Sequence, residues 1–235
     1  QRVKARKVQP TEQAMNESQC MARLLASAVH DMRNVLAVIR ESAGLAQDLA
    51  SLAGGKAVSA QGTERLSTAL GEVQRSIIQG AALSEAMDFM AQAGGMEPGG
   101  AGPCDLARVS RSFCLLAARQ ARAAQIHLTS GETDEPVWAN VPPLAVLRSL
   151  LEIFDLCASV GGQVTLRLTA GRRQKEEGII VEAQEGPNRE MALAAMTGSP
   201  MLDGIRPGWR AVLMPWREAG PRFFLSISAC DSEGE

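Results

Sequence analysis

From Thr11 to Leu52 the chain contains no proline and a single glycine, Gly44. Apolar residues recur through that run at Met21, Leu24, Leu25, Ala28, Met32, Leu36, Ile39, Ala43, Ala46 and Leu49. Steps of three and four sustained this far specify one long amphipathic helix, roughly 60 Å at ~1.5 Å per residue. The run Ala53-Gly54-Gly55-Lys56-Ala57 breaks it. A second helix is expected over Thr63–Ala93, where Leu66, Leu70, Val73, Ile77, Gly80, Ser84, Met87 and Ala91 alternate steps of four and three. That alternation is a heptad seam, thinned at Gly80 and Ser84. Two such helices joined by a short loop make an antiparallel hairpin, which covers only one side of each helix. A second hairpin would cover the rest, so a homodimer with a four-helix bundle is expected.

Composition narrows the function classes. Aromatics are 3% and tyrosine is absent, so the core must be built from Leu, Val, Ile, Ala and Met, which suits helices. The net charge is -2 and no basic stripe interleaves with aromatics, which argues against nucleic acid. Cys20, Cys104, Cys114, Cys157 and Cys230 include no Cys-x-x-Cys pair and read as buried thiols of a reducing compartment. With His30 and His127 the only imidazoles, a zinc site is not expected. The basic Gln1–Val8 segment leads into no apolar run, so no signal peptide is read. No stretch approaches ~18 consecutive apolar residues, so no membrane span is expected. These features together place the protein in the cytoplasm.

The glycine- and proline-rich stretch Gly94–Pro103 reads as a linker between a helical hairpin, 11–93, and a second domain, 104–230. In the second domain Asp105 can cap a helix running to Ala124. Ile126–Ser130 and Pro136–Ala139 read as short strands, and Leu144–Ser159 as a helix started by Pro142-Pro143 and stopped by Gly161-Gly162. Gln163–Thr169 and Gly178–Gln184 alternate as strands, joined through the charged turn Gly171–Glu177. Arg189–Met196 and Trp209–Glu218 are read as helices and Arg222–Ala229 as a last strand. The fold class is therefore α+β, with a long hairpin followed by an α/β sandwich that has helices on one face of a mixed sheet.

The orientation of His30 follows from the helix turn. With Val29 at zero and ~100° per residue, Met32, Leu36, Ile39 and Val35 fall near ~300°, ~340°, ~280° and ~240°. The apolar arc then centres near ~290°, while His30, Asn34 and Glu41 lie at ~100°, ~140° and ~120°, on the opposite side. An exposed imidazole is a nucleophile at neutral pH. Asp31 beside it can accept a hydrogen bond from the ring Nδ1–H, leaving Nε2 as the free lone pair. Asn34, one turn on, can orient a water beside a phosphoryl group. Arg33 and Arg40 flank the site and read as ordinary surface cations.

The segment His30-Asp31-Met32-Arg33-Asn34-Val35-Leu36-Ala37-Val38-Ile39 resembles the H-box of two-component histidine kinases. That motif is His, then Glu or Asp, two residues, Asn or Thr, and usually Pro-Leu. Here Val35 stands in place of the proline, which puts the family's kink in question. The hairpin and linker resemble that family's dimerisation and histidine phosphotransfer domain. The resemblance implies that His30 is the phosphoacceptor, Asp31 its acid/base partner and Asn34 the position used in phosphatase activity. The order of elements in the second half resembles the family's ATP-binding domain. Leu147–Ala158 looks like the helix that supplies an asparagine to Mg²⁺, but Glu152 and Leu156 fill the two candidate positions. Ile179–Pro187 looks like the strand and turn that supply an aspartate to adenine, but Gln184 stands there. Gly204 and Gly208 are too few for the phosphate lid. Gly54-Gly55-Lys56-Ala57 is no substitute, because it lacks the Ser or Thr and the preceding strand of a P-loop.

The resemblance and the losses together imply a histidine phosphotransferase with a degenerate ATP domain. It would relay a phosphoryl group between receiver-domain aspartates of response regulators through His30. Receivers would dock around Arg33, Ala37, Val38 and Glu41. No cofactor of its own is expected; Mg²⁺ would sit on the receiver. The alternatives are a histidine kinase with a divergent ATP site and a non-enzymatic dimerisation module.

Overall fold

The computed structural model describes residues 17–53, 60–94, 102–199, 201–206, 209–216 and 222–229. The expected helical start at 11–16, the turn at 54–59, most of the linker (95–101), Gly208, the end of the Trp209–Glu218 segment and Cys230 lie outside the described residues. Helix α1 spans Glu17–Ala53 and α2 spans Ala60–Gly94, 37 and 35 residues. They run antiparallel. A Cβ on Gly80 would meet Val35 Cγ1 at 3.1 Å, and nearer the turn Ser42 Oγ donates to Glu72 Oε2 at 3.0 Å.

The α2 seam sits one residue away from the expected one. Leu66, Val73, Gly80 and Met87 face the partner helix, but the positions between them are Ala69, Ser76, Leu83 and Met90, all buried. Leu70 and Ile77 are more than half exposed, and Ser84 and Ala91 are exposed as well. Both series step by four and three, so periodicity alone does not separate them. Small residues at 69, 76 and 80 let α1 approach closely, which turns the larger apolar side chains outward. Leu36 and Val29 of α1 are likewise exposed, not core.

The second half carries α3 (Leu106–Leu116), α4 (Ala118–Ala123), α5 (Pro143–Ser159) and α6 (Arg189–Gly198). Its strands are β1 (Pro103–Asp105), β2 (Ile126–Ser130), β3 (Trp138–Asn140), β4 (Val164–Arg173), β5 (Glu176–Ala183), β6 (Met201–Arg206), β7 (Trp209–Trp216) and β8 (Arg222–Ala229). β1 and β3 pair antiparallel, and the other six form one mixed sheet in the order β2-β4-β5-β8-β7-β6. Only β2 and β4 run parallel in it. The molecule is α+β, as its sequence patterning implies.

Asp105 caps α3: its Oδ1 accepts from the backbone N–H groups of Ala107 and Arg108 at 2.9 and 3.2 Å. Asp105→Ala is expected to cost about 1 kcal/mol, read from urea unfolding. The helix expected from Asp105 to Ala124 is interrupted at Ala117, giving α3 and α4 as separate pieces. After α5 the chain turns at Gly161 and Gly162, with φ of +99° and +61°. A Cβ at Gly162 would fall 1.8 Å from the Ala124 carbonyl oxygen, so only glycine fits. The expected β4–β5 hairpin forms, but its strands pair as far as Arg173 opposite Glu176, so the turn shortens from Gly171–Glu177 to Gln174-Lys175, with Gln174 in the left-handed region.

Trp209–Trp216 is a strand, not the expected helix. Its backbone is paired throughout with β8, from Trp209 opposite Ala229 to Trp216 opposite Arg222. Ala211 and Leu213 point into the core at alternate positions, and Pro215 would disrupt a helix. β6, which pairs antiparallel with β7, was not expected at all.

One apolar cluster joins the halves. Cys20, Leu24 and Ala28 of α1 and Leu83, Ala86, Phe89 and Met90 of α2 pack in the same cluster as Phe113, Leu147, Leu151, Leu166, Val181 and Leu225. Burial pushes the thiol of Cys20 from an ordinary 9.0 up to about 11. It pushes Cys104, Cys114 and Cys157 to about 12, the charge of Asp105 adding to the effect at Cys104. The unfolded chain therefore releases these protons first. Their stabilising contribution is whole below about pH 9 and is lost as pH rises toward 12. Urea midpoints are expected to fall between pH 8.5 and pH 10.5, and the folded thiols to resist thiol reagents at about pH 8.

Candidate functional site

α1 presents His30 on the flank of the hairpin, its imidazole 43% exposed. The nearest polar group to its Nδ1 is the Asn34 carboxamide, with Nδ2 at 3.3 Å. Residues four apart on a helix stack on one face, which is what brings the two together. Asp31 Oδ1 lies 3.7 Å from Nδ1, beyond hydrogen-bond length. Nε2 has no hydrogen-bond partner among the described residues.

Asp31 is buried, its side chain only 7% exposed, and it faces the second half of the chain. There Arg122 of α4 donates from Nη2 to both its oxygens, at 2.8 and 2.9 Å. The break at Ala117 makes α4 a separate short helix, and α4 carries this arginine. One turn nearer the chain start, Ser27 is buried as well. One turn before that, Arg23 donates from Nη1 and Nη2 to the two oxygens of Asp155 on α5, at 2.5 and 2.6 Å. Its Nε donates to Gln120 Oε1 at 2.6 Å, Gln120 Nε2 returns a bond to the Arg23 carbonyl, and the guanidinium lies 5.9 Å from the Phe154 ring centroid. On α2, Arg108 of α3 sits 5.1 Å from the Phe89 ring centroid. Arg23 and Asp31, two turns apart on α1, thus seat the α/β half.

Of the residues expected to dock a partner, Arg33, Val38 and Glu41 are exposed and Ala37 is half-buried, all on the His30 side of α1. Arg122, Gln120, Arg23 and Asp155 were not expected at the site. Each reads in sequence as an ordinary polar position on a short or amphipathic helix, and no local spacing links residues about 90 to 130 positions apart.

The positions that resembled a nucleotide site have local accounts. On α5, Leu156 packs against the apolar cluster, and its neighbours Phe154 and Asp155 contact Arg23. Gln184 Nε2 donates to Glu182 Oε2 at 3.3 Å, and its backbone N–H to the Thr165 carbonyl at 2.9 Å. Gly186, at φ +133°, has the Gln163 carbonyl oxygen 2.0 Å from where a Cβ would lie. The turn's own closure onto β4 requires that glycine. Among the described residues no group of three or more His, Cys, Asp or Glu side chains could hold a metal ion, and no helix is long and apolar enough to cross a membrane.

No protein-family model and no curated protein sequence matches the chain. Among solved structures it is similar to the Acinetobacter baumannii histidine kinase AdeS, with 9% identity, 85% of this chain and 96% of that chain covered, and a TM-score of 0.35. It is similar to the histidine kinase ThkA, solved in complex with the response regulator protein TrrA, with 10% identity, coverage of 90% and 62%, and a TM-score of 0.36. A structure described as a bacterial phosphotransferase aligns with 11% identity, coverage of 93% and 98%, and a TM-score of 0.33. At these levels the likeness is a description only, and the functional reading rests on the chain's own residues.

Proposed function

We propose that this protein is a histidine phosphotransfer protein of two-component signalling, relaying a phosphoryl group between receiver-domain aspartates and His30. The observation that carries the reading is the half-exposed imidazole whose Nδ1 side is occupied by Asn34 and Asp31 while Nε2 has no partner. In the step itself, the Nε2 lone pair attacks the phosphorus of the receiver's acyl phosphate. The P–O bond breaks and the carboxylate leaves with its electron pair. A second receiver's carboxylate reverses the exchange. Acyl phosphate and phosphohistidine both have high transfer potential, so ATP is not consumed. Catalysis is then positioning plus charge stabilisation, with Mg²⁺ supplied by the receiver.

A homodimer is part of this reading. Val29 and Leu36 on α1 and Leu70, Ile77 and Ile78 on α2 are large, exposed and apolar, and a second hairpin would cover them. The stripe of Arg33, Ala37, Val38 and Glu41 stays at the surface beside His30 and is the receiver's docking strip. The α/β half is read as a degenerate ATP domain, supported by Leu156 and Gln184 and by the commitment of α5 to the hairpin.

The test is to mix the protein with a receiver domain carrying a labelled aspartyl phosphate and follow acid-labile, base-stable label. Transfer to the protein supports the relay. If no label moves, the relay reading is wrong. Autophosphorylation with Mg-ATP would favour a kinase with a divergent site. Full activity in the cell of a His30→Gln variant would favour a non-enzymatic module.

A further inference from the structure

The resemblance assigns the support of the imidazole to Asp31 and leaves Asn34 to phosphatase activity. The geometry points to a different division. Asp31 is buried, and both its oxygens are held by Arg122 from α4. It stands 3.7 Å from Nδ1, while the Asn34 carboxamide is at 3.3 Å and lies on the exposed face with the ring. We propose that Asn34 is the positioning residue for His30: its carboxamide oxygen accepts the Nδ1–H and leaves Nε2 as the nucleophilic nitrogen. Asp31 serves chiefly to join the two halves of the chain. This inference rests on the reading that His30 takes the phosphoryl group.

Three physical points support it. The nitrogen and oxygen ends of a carboxamide exchange by a half-turn, so the observed contact serves either proton placement. The Asp31 carboxylate oxygen behind Nδ1 disfavours a lone pair there and favours a proton, which selects the orientation with the amide oxygen toward the ring. Swinging Asp31 onto the ring instead would break its part-buried, charge-assisted bonds to Arg122, and such bonds are stronger than neutral ones. Asn34 gives up nothing comparable, because the ring contact is its one hydrogen bond among the described side chains.

The experiment uses the full chain with ¹⁵N-labelled histidine. His30 and His127 are the only imidazoles, so His30→Gln identifies the signal by its loss. Wild type is expected to show His30 mainly in the Nδ1–H form. Asn34→Ala should shift it toward the Nε2–H form and slow transfer from a phosphorylated receiver roughly three- to tenfold, with the receiver concentration at half-maximal rate unchanged. Asn34→Asp, which keeps an acceptor, should restore the Nδ1–H signal. Asp31→Asn, which removes the charge 3.7 Å behind Nδ1, should shift that signal less than Asn34→Ala does and lower the thermal midpoint through loss of the Arg122 pair. A tautomer unchanged in Asn34→Ala, or shifted as strongly in Asp31→Asn, would overturn the proposal. If wild type accepts no label from a receiver or from phosphoramidate, the relay reading fails. The tautomer measurement still decides what holds the ring.

Discussion

His30→Gln is expected to abolish phosphoryl acceptance completely while leaving the fold as it is. The imidazole is 43% exposed, and its one hydrogen bond is to an exposed residue on the same helix. Glutamine is a good helix former of similar size, so little of the packing around the half-exposed ring is lost. The variant should therefore match wild type in far-UV circular dichroism and in urea midpoint. Its label from a phosphorylated receiver should drop to background, because a carboxamide offers no lone pair of comparable nucleophilicity. Label persisting on the variant would place the acceptor elsewhere, with His127 the first candidate, and would remove the basis for the functional reading.

Leu24→Ala is expected to destabilise the whole chain by about 2–5 kcal/mol, in one transition. Leu24 lies fully buried in the cluster that the hairpin and the sheet share, so truncation leaves a void touching both halves. The chain supplies separate reporters. Trp138, Trp209 and Trp216 all belong to the α/β half, whereas most of the helical signal comes from α1 and α2. If the core is common, urea curves from tryptophan fluorescence and from helicity coincide and move together in the variant. A variant whose helicity melts early while the fluorescence midpoint stays put would show that the halves fold independently.

What was legible in the sequence was what local rules control. The first long helix followed from the absence of breakers between Thr11 and Leu52, the second from its steps of three and four, the α3 start from the side-chain chemistry of Asp105, and the β4–β5 hairpin from alternation around a charged turn. The face that His30 shares with Asn34 was also legible, because one turn of helix fixes their relation. The errors arose where tertiary contacts decide. Trp209–Trp216 carries both patterns weakly, and the ladder with β8 determines the outcome. The α2 seam slipped because Leu70 and Ile77 are more apolar than Ala69 and Ser76, yet the close approach of α1 needs the small side chains. Asp31 was read by its neighbour in sequence, whereas its partner is Arg122, on a helix that exists only because the chain turns at Ala117.

The arginine contacts and the shared cluster also bear on tempo. A histidine mounted on a hairpin that Arg23, Asp31 and the shared cluster fasten to the sheet-bearing half would have no internal swing to wait for. On the proposed relay, its surroundings would stay the same before and after each exchange. Turnover would then be set by how often a phosphorylated partner arrives in the right attitude, and would rise in proportion to partner concentration up to high levels. A phosphohistidine left between visits would sit at the surface, open to water, with a lifetime set by solvent and not by any closing motion of the protein.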